Sequence, residues 1–208
     1  MGFQLTQEEG EFLVKLSRRA VETYLKNDKM INAPGNTPSR LLQRGGVFVT
    51  IKKILHDQKK LRGCIGYPYA TTKLAQAVIE CAISSATQDP RFHPISTDEF
   101  DQIVFEVSVL TPPEIIGVDN PRQLPSKIIV GEDGLIVEKG ILKGLLLPQV
   151  PVDCNWNEEE FLSRCCIKAG LTPDSWLIKT TKIYKFQAIV FEEEEARGEI
   201  KRKELYRK

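Results

Sequence analysis

The sequence predicts an α+β fold of mainly antiparallel sheets with flanking helices, and three patterns predict it. Apolar residues alternate with period two in "GVFVTIKKI" and "QIVFEVSVL", as buried strands require. They recur at helical spacing in Leu13, Leu16, Ala20 and Tyr24, and again in Leu74, Ala77, Val78, Cys81 and Ser85. Strand-like runs come in adjacent pairs instead of alternating with helices, which favours hairpins over a parallel sheet.

The elements follow in order. Thr6-Gln7-Glu8-Glu9 is a capping box that satisfies free amides, so a helix should start there and run to about Lys26. "NAPGNTPSR" reads as a loop. Val47, Val49 and Ile51 give a strand; the polar His56-Asp57-Gln58-Lys59 turns it back into "KLRGCIGY", making a hairpin. A helix over about Thr72 to Ala86 buries Cys81 in the core, and "DPRFHP" ends it because proline blocks further helical bonding. Ser96-Thr97-Asp98-Glu99 caps a short helical turn. In the next strand Ile103, Phe105, Val107 and Val109 face one way, and Val104, Glu106, Ser108 and Leu110 the other.

"KIIVGEDGLIVEKGILKGLLLPQVP" reads as short strands turning at Glu132-Asp133-Gly134 and near Gly140, the last leading into a loop. Asn157 caps a helix on which one of the adjacent Cys165 and Cys166 is buried and the other less so. "KIYKFQAIVF" is a last strand. The tail from 192 to 208, acidic first and basic later, is expected to be a solvated helix or a disordered end.

The totals exclude several classes. With 29 basic and 28 acidic residues the net charge is +1, which argues against a protein whose main work is gripping a nucleic-acid backbone. No apolar run approaches the ~18 residues of a membrane span. The opening "MGFQLTQEEGEF" has no signal-peptide pattern, and Met1-Gly2 is only a weak match to a myristoylation start. Five cysteines, Cys64, Cys81, Cys154, Cys165 and Cys166, form no CxxC pair, and there are two histidines; this fits reduced thiols in the cytoplasm and no metal site. Phosphate-loop, dinucleotide, GxSxG and HExxH motifs are absent.

Chemistry concentrates in "KLRGCIGYP". Alternation along a strand puts Arg62 and Cys64 on one face, where a folded-back guanidinium would favour the thiolate. Gly63 and Gly66 would admit another backbone or a ligand. The plain alternative is a bent edge strand with Cys64 filling a hole and Arg62 paired with a carboxylate. Glu106, a carboxylate mid-strand on a mixed face, could exchange protons if desolvated, or simply form an ion pair. Asp89 and Arg91 flank the proline of "DPRF" and could bind a ligand or close a helix end. Gln149 could supply hydrogen bonds to a pocket, while His93, between Phe92 and Pro94, reads as a surface residue.

Seven motifs in fixed order, "GVFVTIKK", "LRGCIGY", "DPRF.P", "EVSVLTPPE", "VGEDGL", "KGLLLPQV" and "FLSRCCIKAGL", resemble the AMMECR domain family, with Tyr67-Pro68 departing from its usual pattern. The resemblance implies one AMMECR-type domain over 1–208, its core about 45–191, with a larger and a smaller lobe and a cleft between them. It implies an intracellular protein acting beside Memo-type and radical-SAM proteins. On that basis the sequence points to a cleft enzyme or enzyme component. Cys64 would be nucleophile or ligand contact, Glu106 acid or base, Arg62 an anion clamp, and Gly63, Gly66, Asp89, Arg91 and Gln149 further ligand contacts. A non-catalytic adaptor is the alternative.

Overall fold

A computed structural model of the protein describes residues 4–56 and 58–204. The Met1-Gly2 start, Asp57 of the predicted turn and residues 205–208 of the tail lie outside the described residues. The chain forms two compact units, one running to Leu110 and resuming at Ile189–Lys203, the other Thr111–Ala188.

In the first unit, helix α1 (Gln7–Asn27) begins at the predicted box: Thr6 accepts from the Glu9 amide and the Glu9 carboxylate from the Thr6 amide. Strands β1 (Gly46–Leu55) and β2 (Gln58–Tyr67) form the hairpin. Its first turn residue, His56, takes φ 49°, as a two-residue connection of this kind demands. Helix α2 (Leu74–Thr87) follows, then β3 (Ile103–Leu110). The strands run in the order β2-β1-β3, and β3 neighbours β7 (Lys182–Glu193), whose last residues belong to this unit. One face of the sheet, carrying Val47, Val49, Ile51, Phe105, Val107 and Val109, packs with apolar residues of α1 and α2 into one core that includes Cys81. All eight β3 residues are buried, so its second, more polar face is covered too.

The expected frayed tail is instead structured. Glu192 and Glu193 complete β7; the chain reverses through Arg197 at φ 61° and returns as β8 (Ile200–Arg202), paired to Phe191–Glu193, with Ile200 in the core. Helical charge spacing therefore does not govern this segment: Lys201 pairs with Glu194 at 2.9 Å across the turn. What holds the segment is a buried fork. Arg18 of α1 donates to both Glu193 carboxylate oxygens, at 2.7 and 2.6 Å, and to the Phe100 and Ile103 carbonyls. Glu193 also accepts from the Phe105 amide at 3.0 Å. Every hydrogen-bonding demand of a buried ion pair is thus met.

The second unit has its own core. Strand β4 (Glu114–Ile115) and β5 (Asp133–Lys139) both pair with the first part of β7, and β6 (Leu142–Leu146) pairs with β5. The predicted turn at 132–134 sits earlier. Gly131 takes the left-handed position at φ 94°, and β5 starts at Asp133, whose buried carboxylate accepts from the Ile129 amide. The run after β6 becomes a short helix, α3 (Gln149–Asp153), where a loop was expected. Helix α4 (Glu158–Lys168) starts at the Asn157 cap. Both of its adjacent cysteines are fully buried, contrary to the expectation of one. Cys165 lies against the Leu135 and Gly144 carbonyls of the β5–β6 hairpin, and Cys166 shares the cluster with Trp176 and Ile183.

Because Arg18 is the one cation paired with the Glu193 carboxylate among the described residues, Arg18→Ala should cost about 3–5 kcal/mol in guanidinium unfolding, whereas Arg18→Met with Glu193→Leu should cost much less.

Candidate functional site

Strand β2 is an edge strand whose backbone is held, besides its ladder, by side chains of α2 and of the segment that follows it. The register with β1 slips between Ile51 and Lys52: Cys64 faces Thr50 and Gly63 faces Ile51, but Lys52 faces Leu61, leaving Arg62 as the extra residue of a bulge. On the helix side, a Cβ at Gly63 would run into the Ser85 carbonyl of α2. The Ser85 hydroxyl accepts from the Ile65 amide at 2.8 Å and donates to the Val49 carbonyl at 2.7 Å, joining helix and hairpin. At the open edge the Asp89 carboxylate accepts from the Cys64 amide at 2.8 Å. Arg91 grips that carboxylate through Nε at 2.9 Å and Nη2 at 2.7 Å. "DPR" is therefore a clamp on the strand that carries the thiol. Gly66 is filled from within as well, by the Phe48 ring, so both glycines admit the protein's own atoms.

The bulge changes the predicted pairing of Arg62 with Cys64. Arg62 turns to Glu99, donating at 3.1 and 2.9 Å, and to the His93 and Pro94 carbonyls. Glu99 also takes Lys53 at 2.9 Å. The cation that acts on the half-buried Cys64 is Arg91. It does not make a thiolate: burial pushes the Cys64 thiol up, the Glu106 and Asp89 charges push further, and the Thr50 hydroxyl and Arg91 only offset part of this. At neutral pH Cys64 is a thiol, not the activated thiolate expected from an adjacent arginine.

Cross-strand register places Cys64, Thr50 and Glu106 in one row over β2, β1 and β3, on the face opposite the helices. Thr50 Oγ1 donates to Cys64 Sγ at 3.2 Å. Glu106, 2% exposed, pairs with Lys52 at 2.7 Å and with Lys203 at 3.7 Å. Lys52 also holds Glu192 at 2.6 Å, which in turn takes Lys59 at 3.2 Å. Burial opposes the charge on Lys52, but Glu106 and Glu192 override it and raise its pKa, so it stays a cation. The sequence singled out Glu106 but not Thr50, Lys52, Glu99 or Glu192. Strand alternation contains a signal for the first two, since Thr50 and Lys52 are the polar residues on the non-core phase of "GVFVTIKK".

Beside the clamp is an open cavity of about 440 Å³ lined by Arg62, Pro90, Arg91, Phe92 and His93. The two guanidinium groups lie 6.0 and 5.4 Å from the Phe92 ring centre. Cys64 and Glu106 do not line it. Gln149 belongs to the second unit, where it is buried at the start of α3. Among the described residues no group of three or more His, Cys, Asp or Glu side chains could hold a metal, and no helix is long and apolar enough to cross a membrane.

The AMMECR1 family profile matches residues 14–191. The chain belongs to the AMMECR1 family. Its sequence is 56% identical to protein PH0010 of Pyrococcus horikoshii over 99% of this chain and 100% of that one. It is 51% identical to protein MK0488 of Methanopyrus kandleri, covering 99% and 98%. A crystal structure of PH0010 superposes with a TM-score of 0.94 at 55% identity, covering 98% of this chain and 100% of that chain. The stretch Leu61 to Gly66 within the motif that the sequence singled out is the bulged, clamped part of β2.

Two outcomes follow for this AMMECR1 site. Native Cys64 should react with iodoacetamide more slowly at pH 7.5 than the exposed Cys154, with a midpoint above the ~8.5 of an ordinary thiol. Thr50→Val, which removes the donor to sulfur, should slow it a further ~3–10-fold by mass-spectrometric labelling. The Arg91 fork holds Asp89 at about 2, below its ordinary 3.8, and the Arg62 fork holds Glu99 at about 2, below 4.5. Both folded values lie below the unfolded ones, so their stabilisation is complete above about pH 5 and lost as pH falls toward about 2. The melting temperature should drop across that window, and Asp89→Asn with Glu99→Gln should flatten the drop while lowering stability at pH 7.

Proposed function

We propose that the protein is an enzyme, or a component of one, whose reacting group is the neutral thiol of Cys64. The observation that carries this reading is the row Cys64–Thr50–Glu106 on a strand held by Asp89 and Ser85. Fixing a backbone from helix and edge at once is what a reacting group needs and a space-filling cysteine does not. Cys64 contributes the sulfur, oriented by the Thr50 hydroxyl. Glu106, with Lys52 against it, supplies acid or base capacity further along the row. Arg91 and Arg62, at 5.4 and 6.0 Å from the Phe92 ring centre, suit the planar anionic part of a substrate. The thiol would lose its proton only when substrate arrives, since at rest burial keeps it protonated.

Five cysteines free of disulfides fit a reducing cytoplasm. The family relationship makes a Memo-type or radical-SAM protein the expected neighbour in a shared modification pathway. A second reading, a non-catalytic adaptor, draws on apolar side chains left in solvent in the second unit: Ile141 is 94% exposed, Ile115 59% and Ile129 53%.

Turnover decides between them. Wild type, Cys64→Ser and Glu106→Gln are each incubated with a small-molecule extract of an archaeon such as Pyrococcus horikoshii and followed by mass spectrometry. A compound consumed by wild type at least about tenfold faster than by Cys64→Ser supports the enzyme. Equal profiles for folded wild type and Cys64→Ser overturn it and leave the adaptor.

A further inference from the structure

The cavity of about 440 Å³ beside the clamp is cationic on its lining and carries its counter-charges elsewhere. Arg62 and Arg91 line it, and among the described residues no carboxylate does. The groups that neutralise them are withdrawn: Asp89 is 4% exposed, and Glu99 is half-buried between Arg62 and Lys53. These forks fix both guanidinium groups before any ligand arrives, so engaging one costs little side-chain ordering. The two arginines differ in what they have left. Arg62 spends Nε and Nη2 on Glu99 and Nη1 on the His93 carbonyl. Arg91 gives Nε and Nη2 to Asp89, and Nη2 also reaches the Cys64 carbonyl at 3.5 Å, but Nη1 has no acceptor among the described residues. The Arg91 side chain is 44% exposed, so that end of the guanidinium is within reach of a ligand.

A planar, charged donor is best met by a carboxylate oxygen. The rest of the lining is flat and apolar: the half-buried Phe92 ring, 5.4 Å from the Arg91 guanidinium and 6.0 Å from that of Arg62, and the ring of Pro90. An aromatic body would pack on that surface while its carboxylate meets Arg91. Seated there, the carboxylate bears on a group outside the cavity. Arg91 is the cation that favours the Cys64 thiolate, helped by the Thr50 hydroxyl and opposed by burial and by the Glu106 and Asp89 charges. An anion on Arg91 offsets that cation, and any loosening of its fork unmasks the charge of Asp89. Both effects hold the thiol neutral.

We propose that this cavity binds a small aromatic carboxylate through Arg91 and Phe92, and that its occupancy restrains the reactivity of Cys64. The inference rests on the thiol reading above for its meaning, but labelling of Cys64 needs no turnover, so either can fail without the other. The native protein is labelled with iodoacetamide at about pH 8 and constant ionic strength, with Cys64 and the exposed Cys154 followed by mass spectrometry. Benzoate should slow Cys64 about 3–10-fold, saturating with a half-effect below about 10 mM, and leave Cys154 unchanged. Benzamide, which lacks the charge, and acetate, which lacks the ring, should each need at least about tenfold more. The bulkier N-ethylmaleimide should be slowed by the same factor as iodoacetamide. Arg91→Lys, which keeps the charge but not the planar fork, should weaken benzoate about tenfold, and so should Phe92→Leu, which leaves both forks in place. No slowing, or none that saturates by about 50 mM, overturns the proposal, as do equal effects of benzoate and benzamide or an undiminished effect in Phe92→Leu. Inorganic phosphate acting as strongly as benzoate overturns it too. So does a greater slowing of N-ethylmaleimide, which marks obstruction of the sulfur instead of a change in charge.

Discussion

The fork between Arg18 and Glu193 organises the first unit. It joins residues 175 positions apart and adds the carbonyls of Phe100 and Ile103 and the amide of Phe105, so that helix α1, strand β3 and the end of β7 meet at one buried charge pair. A pair so buried adds little net stability over an apolar replacement, but it tolerates one arrangement only, because any displacement strands a charge. Once Glu193 is fixed, its neighbour Glu192 is delivered to Lys52, and Lys52 to Glu106. The end of β7 therefore completes the polar face on which the thiol sits.

That face combines two environments that usually exclude each other. Ion pairs stabilise the charged forms of Lys52 and Glu192, while burial a strand away holds Cys64 neutral. Position decides the difference: Arg91, the nearest influential cation to the sulfur, is already bound by Asp89 in a fork of two short hydrogen bonds. A thiol in such a place ionises only when the local charge around it changes.

Much of the fold was legible in the sequence because it follows from local rules. The Thr6 and Ser96 boxes, the alternation in β1 and β3 and the stripe on α2 are all where residue spacing puts them. The failures have one common cause, which is that contacts distant in sequence override local periodicity. Charge spacing in 194–203 fitted a helix, yet Arg18 and the core around Ile200 make it a hairpin arm. Alternation put Arg62 beside Cys64, yet a bulge and the Glu99 carboxylate turn it away. Of the site, "DPRF" and "LRGCIG" were visible as motifs, but that the first clamps the second could be seen only from the hydrogen bond between Asp89 and the Cys64 amide.

The Ser85 hydroxyl sits between the Ile65 amide and the Val49 carbonyl, so a helix side chain serves as one rung of the hairpin. Peeling β2 from its neighbour must then disturb the last turn of α2. The strand that carries the thiol is in this way tied to a helix end some twenty residues further along the chain by a single hydroxyl group.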